Sequence, residues 1–233
     1  MDASEHSISS KWELAKALLE GKCGLAKNPD RAFSILKELA NVKTNDDNKP
    51  YEIDEGKTCF SPAMKKISDC YFNGVGVEQN SKTGLSWLQA SFELGNDLDA
   101  AHESAMIYEF GRNGIDVDVI AAAQWFEKAA EKGHVEAMTE LGLCYELGCG
   151  VEQSDETALD WYTKAAHLGH VTAKYSVGEA FEEARGVHQS DEEACLWYYR
   201  AALMGDEDSK VALRRLYDIA RIVVPGVSQV LNE

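Results

Sequence analysis

Four tryptophans, Trp87, Trp125, Trp161 and Trp197, recur at intervals of 38, 36 and 36 residues, and no other feature restricts the fold as strongly. Gly95, Gly133, Gly169 and Gly205 keep the same intervals. Gly74, Gly111 and Gly148 follow at 37 and 37, and Ala184 takes the place of the glycine 36 residues further on. Three columns in step at this period mean one supersecondary unit used repeatedly. A unit that small cannot bury its own apolar face, so it must stack on its neighbours.

Each period divides into two helices. In Ala137–Leu147, Ala137, Leu141, Cys144 and Tyr145, followed by Gly148, share one face at helical spacing. The turn Gly148-Cys149-Gly150 ends that helix, because glycine takes a positive φ without steric cost. A second helix starts after Ser154, carries Ala158, Trp161, Tyr162, Ala165 and Ala166, and stops at Gly169. Its start signal recurs as Asn28, Asn80, Asp118, Ser154 and Ser190, side chains that accept hydrogen bonds from free N–H groups at a helix N-terminus. Pro29 fits the first helical position after Asn28, and Ser190 with Glu193 has capping-box spacing. Lys128, Lys132, Lys164 and Arg200 fall in closing turns, where cations suit the helix dipole. The pairs Ala129-Ala130, Ala165-Ala166 and Ala201-Ala202 allow close helix approach, and the tryptophans fill the space between hairpins.

Composition agrees. The 233 residues include only 4 prolines, 45% are hydrophobic and 27% charged, which suits a folded, helical chain. With 23 basic and 40 acidic side chains the net charge is −17, so nucleic acid and anionic membrane surfaces are excluded as partners and a basic protein segment is favoured. Residues Met1 to Ser10 are polar, and no apolar run approaches the ~20 residues of a membrane span. Together with six cysteines of irregular spacing (Cys23, Cys59, Cys70, Cys144, Cys149 and Cys195), this predicts a cytoplasmic protein with free thiols.

The stretch Leu141–Val151 followed by Ala158–His170 closely resembles the SEL-one-like repeat, a branch of the tetratricopeptide-like solenoids. The resemblance is specific over Gly133–Gly205, good over Ala63–Gly95 and Ala100–Gly133, and weaker over Ser10–Asn41, where Ile35 replaces the tryptophan and Lys43 the closing glycine. It implies a single all-α domain over residues 1–233, a right-handed superhelical solenoid of stacked antiparallel helix pairs. The repeats fall at about 10–41, 61–95, 100–133, 135–169 and 171–205. It also implies a non-catalytic adaptor or scaffold that binds a protein or peptide segment. Asn28 to Asn80 is 52 residues, so about 16 are inserted, and the polar residues 42–60 are expected as an exposed loop, disordered or passively packed. Val211, Leu213, Leu216, Ile219, Ala220 and Val223 predict a capping helix over 209–224, closed by Pro225 and Gly226.

Chemical motifs fail one by one. Gly56-Lys57-Thr58 echoes a phosphate-binding loop, but Tyr51 stands where the first glycine belongs and Glu52, Asp54 and Glu55 would repel phosphate. His167 and His170 lie three apart, yet His170 aligns with His134 as a turn residue. Cys70 and Cys144 align on the packed face and read as core. No metal or cofactor is expected. The alternative is again a resemblance, to secreted cysteine-rich repeat proteins with hydrolase activity of the β-lactamase type. Their cysteines pair regularly in successive repeats, and these do not.

First helices of tetratricopeptide-like solenoids line the concave surface, which makes the face opposite the stacking face the expected groove. Its columns are Lys65, His102, Thr139 and Tyr175; Asp69, Met106, Leu143 and Glu179; and Phe72, Glu109, Glu146 and Glu182. Apolar Phe72, Met106, Leu143 and Tyr175 run beside Asp69, Glu109, Glu146, Glu179 and Glu182, a pattern that suits a segment with apolar anchors and Lys or Arg flanks.

Overall fold

A computed structural model describes residues 3–54 and 58–220, and within them the chain is an all-α repeat solenoid of eleven helices with one short β-hairpin. Gly56 and Lys57 of the rejected phosphate-loop motif lie outside the described residues. The backbone forms two compact units, residues 1–118 and 119–233.

The first unit contains α1 (Ala3–Glu20), α2 (Pro29–Ala40), β1 (Val42–Thr44), β2 (Pro50–Ile53), α3 (Ser61–Asn73), α4 (Ser81–Glu93) and α5 (Leu98–Phe110). Each helix from α1 to α5 packs on the next. Leu36, Leu39, Met64, Ile67, Cys70, Tyr71 and Trp87 form its core, with Phe33 and Trp12 packed against it. The second unit contains α6 (Val119–Glu131), α7 (Val135–Leu147), α8 (Asp155–His167), α9 (Val171–Glu183), α10 (Asp191–Ala202) and α11 (Glu207–Ala220), again packed in sequence. Its last helix buries Leu213 and Leu216 with Cys195 and Tyr198, as a cap on α10 must. Residues 221–224 of the expected capping helix, with Pro225 and Gly226, lie outside the described residues.

The helix ends are those the sequence signals. Asn28, Asn80, Ser154 and Ser190 accept from the backbone N–H three residues on, at 3.0 to 3.2 Å. Gly74, Gly111 and Gly148 close first helices in the left-handed region, and Ala184 adopts the same conformation at φ 58° in spite of its Cβ. A second glycine in the same turn has a different task. A Cβ on Gly76 would run into the carbonyl of Pro29, on Gly150 into that of Val119, and on Gly186 into that of Asp155. In these three repeats the turn therefore sits directly on the start of the preceding second helix, and only glycine leaves room for that approach.

The inserted segment departs from expectation. Residues 42–53 are not an irregular loop: β1 and β2 pair antiparallel, and the tip is fastened to the repeat. The Trp87 indole Nε1 donates to the Asn48 carbonyl at 2.9 Å, and Lys37 Nζ donates to Asn48 Oδ1 at 3.2 Å. An indole N–H buried in the core needs an acceptor, and the hairpin supplies it. A polar composition could not disclose that one carbonyl of the segment had a buried partner.

Candidate partner-binding face

The first helices carry the candidate residues, and the structure sorts them into three groups. In the second unit Leu143 of α7 is 39% exposed, and Leu147, one turn further along the same stripe, is 61% exposed. Beside them Glu146 accepts from the Tyr162 hydroxyl at 2.7 Å and is in contact with the Arg185 guanidinium. Arg185 also reaches Glu179 at 3.6 Å and Glu183 at 3.2 Å. Glu182 accepts from the Tyr198 hydroxyl at 2.9 Å and pairs with Arg215 at 2.6 Å. Burial holds the Glu179 carboxyl above its ordinary range, with Glu183 and Glu182 adding to the effect. The buried Tyr162 and Tyr198 phenols are likewise pushed well up, first by burial.

Two candidates do not face outward. Phe72 is only 7% exposed, and its ring fills the space that a Cβ on Gly84 of α4 would need. Its column position leans onto the second helix of its own hairpin: Glu146 and Glu182 turn the same way, to Tyr162 and Tyr198. Phe72 is thus a packing residue. Thr139 is 7% exposed, with Oγ1 3.0 Å from His170 Nδ1, so the start of α9 covers it. Counting 100° per residue placed both opposite the stacking face, but it ignored the partner helix and the next turn. Tyr175 belongs between the groups. Its ring lies 5.4 Å from that of Tyr198, its hydroxyl donates to Glu179 at 2.9 Å, and burial with that contact pushes its pKa up to about 12.

In the first unit Met106, His102 and Glu109 of α5 are half-buried, and burial raises the Glu109 carboxyl. Lys65 pairs with Glu103 at 3.6 Å, and Asp69 with Lys66 at 3.1 Å. Phe110, one turn after Met106, is exposed, with the Arg112 guanidinium 4.8 Å from its ring centroid.

Sel1 repeats match residues 8–41, 61–96, 98–134, 135–170 and 171–206. The chain belongs to the Sel1 repeat family. Sel1 repeats are generally protein-interaction scaffolds and typically non-catalytic. A Sel1 repeat protein from Oxalobacter formigenes superposes with a TM-score of 0.64 at 27% identity, covering 97% of this chain and 84% of that one. A protective antigen of uropathogenic Escherichia coli with an SLR fold superposes at 0.73 and 19% identity, covering 99% of this chain and 45% of that one. No curated protein matches significantly.

Aligned on the Sel1 register, Leu147 and Phe110 stand 37 residues apart, as do Leu143 and Met106. Both are missed when only the positions opposite the stacking face are counted. The signal was present as a second apolar residue at i+4 in the same two repeats, where the flanking repeats have Asn73 and Glu183. The histidines serve as expected, as turn residues. His134 Nδ1 accepts from Ala137 N at 3.1 Å and His170 Nδ1 from Ala173 N at 3.4 Å, capping α7 and α9. Among the described residues no group of three His, Cys, Asp or Glu side chains is gathered to hold a metal, and no helix is long and apolar enough to cross a membrane.

Proposed function

We propose that this chain is a non-catalytic cytoplasmic adaptor whose first-helix faces bind a protein segment with apolar anchors and basic flanks. The observation that carries this reading is the exposed pair Leu143 and Leu147, a helical turn apart, bordered by Glu146, Glu179, Glu182 and Glu183. Two leucines on one exposed helix stripe present an apolar ridge to a partner. The four carboxylates meet two guanidiniums, Arg185 and Arg215, which leaves the face acidic in a chain of net charge −17. Met106 and Phe110, the same positions in the preceding repeat, extend the apolar pattern along the sequence. Within the first unit Lys65, Asp69, His102 and Glu109 then serve as polar surroundings to Met106 and Phe110, and within the second Tyr175 does so for Leu143 and Leu147, while Phe72 and Thr139 support the helices from within. Six cysteines with no disulfide among them suit a reducing compartment.

The test is capture of partners by wild type and by Leu143→Lys/Leu147→Lys and Leu143→Lys/Met106→Lys, with captured proteins identified by mass spectrometry. The variants lose the partners that wild type retains, with the melting temperature unchanged, and wild-type capture weakens as salt rises because exposed charges are screened over ~10 Å at 0.1 M. Identical capture by wild type and both variants would overturn the reading.

A further inference from the structure

A separate cavity lies on the second-helix side of the first unit. It has a volume of about 430 Å³, within the range of small-molecule sites. One wall is the α4 stripe Lys82, Ser86 and Gln89, the second is Tyr108 with residues 114–118, and the third is Lys49 from the tip of the inserted hairpin. The tip is held in place by the Trp87–Asn48 bond and by Lys49 N donating to Asn45 Oδ1 at 2.9 Å. The insertion that interrupts the repeat period therefore completes this cavity.

The polar groups are unevenly satisfied. Lys49 and Lys82 have no carboxylate within ion-pair distance among the described residues. The Tyr108 oxygen accepts from Gln89 Nε2 at 3.4 Å, and its own O–H has no acceptor among the described residues. Three donors thus converge on the cavity without a protein acceptor. Gln89 Oε1 and the exposed Asp116 carboxylate offer acceptors across from them. In the next repeats this stripe reads Ile120, Gln124, Glu127 and then Glu156, Asp160, Thr163, so the lysine pattern is peculiar to α4.

We propose that this cavity binds a small phosphate monoester of a polyhydroxylated molecule, with the phosphate against Lys49, Lys82 and the Tyr108 hydroxyl and ligand hydroxyls on Gln89 and Asp116. A phosphate monoester carries a charge near −2 at neutral pH and is met by the Lys49 and Lys82 ammonium groups, the two cations of a lining that also holds Asp116 and Asp118. A polyol supplies donors for Gln89 Oε1 and for the Asp116 carboxylate, whereas an all-anionic ligand would set a second negative charge against Asp116 and Asp118.

The test titrates the full chain with glucose 6-phosphate, following backbone amides by NMR, with glucose and inorganic phosphate as separate arms. Amides of residues 82–89 and 114–118 shift saturably with glucose 6-phosphate, and binding is at least about tenfold weaker for either control. Lys49→Gln/Lys82→Gln abolishes the shifts and Tyr108→Phe weakens binding severalfold, both with melting temperatures unchanged. Absence of shifts in those segments, shifts that persist in the double variant, or equal binding of inorganic phosphate would each overturn the proposal. None of these outcomes bears on the first-helix face, which is tested with different variants.

Discussion

Trp87 in the first unit and Trp161 in the second hold the same place in the repeat but are roofed differently. Trp87 is fully buried, and its indole N–H is taken by the Asn48 carbonyl of the inserted hairpin. Trp161 is half-buried, and Lys164 Nζ lies 3.8 Å from its ring centroid. Lys128 covers Trp125 at 3.8 Å and Arg200 covers Trp197 at 4.6 Å in the same way. Three residues beyond Trp87 stands Ala90, which has no charge to offer, and there the hairpin takes over. The period thus fixes where a large aromatic ring stands, while the residue three places on decides whether a cation or an inserted segment closes over it.

The largest expected effect tests that difference directly. Trp87→Ala leaves a closed cavity and an orphaned hairpin carbonyl, and costs roughly 3–5 kcal/mol in denaturant unfolding. Trp161→Ala removes a half-exposed ring and one cation–π contact and costs about 2 kcal/mol. Equal losses would mean that the hairpin roof adds nothing. Trp87→Phe separates the two contributions, because packing is largely retained while the amides of residues 45–49 lose hydrogen-exchange protection.

Next in size is the glycine that brings one repeat onto the previous one. Gly150→Ala drives a Cβ into the Val119 carbonyl and should cost about 2 kcal/mol or more. Gly169→Ala meets nothing within 4 Å and bears only the strain of its positive φ, about 1 kcal/mol. Gly76→Ala against Pro29 repeats the experiment in the first unit, and similar losses at Gly76 and Gly150 would show that the stacking turn is independent of how the tryptophan is roofed.

These contrasts also show where the sequence was legible. Helix pairs, caps and the stacking face follow from local rules: period 3.6, an acceptor side chain at the N-cap, glycine at positive φ. They could be read because each signal lies within one turn of the feature it specifies. The hairpin over 42–53 could not, since its hold on Trp87 joins residues 39 positions apart. The candidate face was half legible. Leu143 and Met106 stand out by periodicity, whereas the burial of Phe72 and Thr139 depends on α4 and on the start of α9, and Arg185 enters the glutamate group from a turn.

A smaller effect, of opposite sign, comes from the one first-helix closure that lacks glycine. Ala184 sits at φ 58°, where Gly74, Gly111 and Gly148 stand in the other repeats. Ala184→Gly relieves the clash of Cβ with the following carbonyl, offset in part by extra freedom of the unfolded chain, and should stabilise by about 1 kcal/mol. A loss of stability would mean that the closing turn before Arg185 is held by contacts of the Ala184 methyl.

The smallest effect concerns the caps of the first helices, where the units differ in chemistry. Asp97 caps α5 with a carboxylate, its Oδ1 3.2 Å from Ala100 N, while His134 and His170 cap α7 and α9 with a ring nitrogen. A histidine can accept at Nδ1 only when that nitrogen is unprotonated, and burial, the largest cause, lowers the pKa of His170, with Lys174 acting in the same direction and Glu136 opposing. Because the folded-state pKa lies below the unfolded value of about 6.5, the unfolded chain binds the proton first. The contribution of this cap is therefore fully present above pH ~6.5 and is lost as pH falls from there through the lowered folded value. Hydrogen exchange between pH 7 and 5 should then show α9 losing protection while α5, capped by Asp97, keeps its own. His170→Asp copies the α5 cap into α9, and since an aspartate with an ordinary pKa of about 4 still accepts over this range, it should abolish the acid response. If α9 in the His170→Asp chain loses protection as wild type does, the acid sensitivity resides elsewhere in the second unit and the two kinds of cap are equivalent.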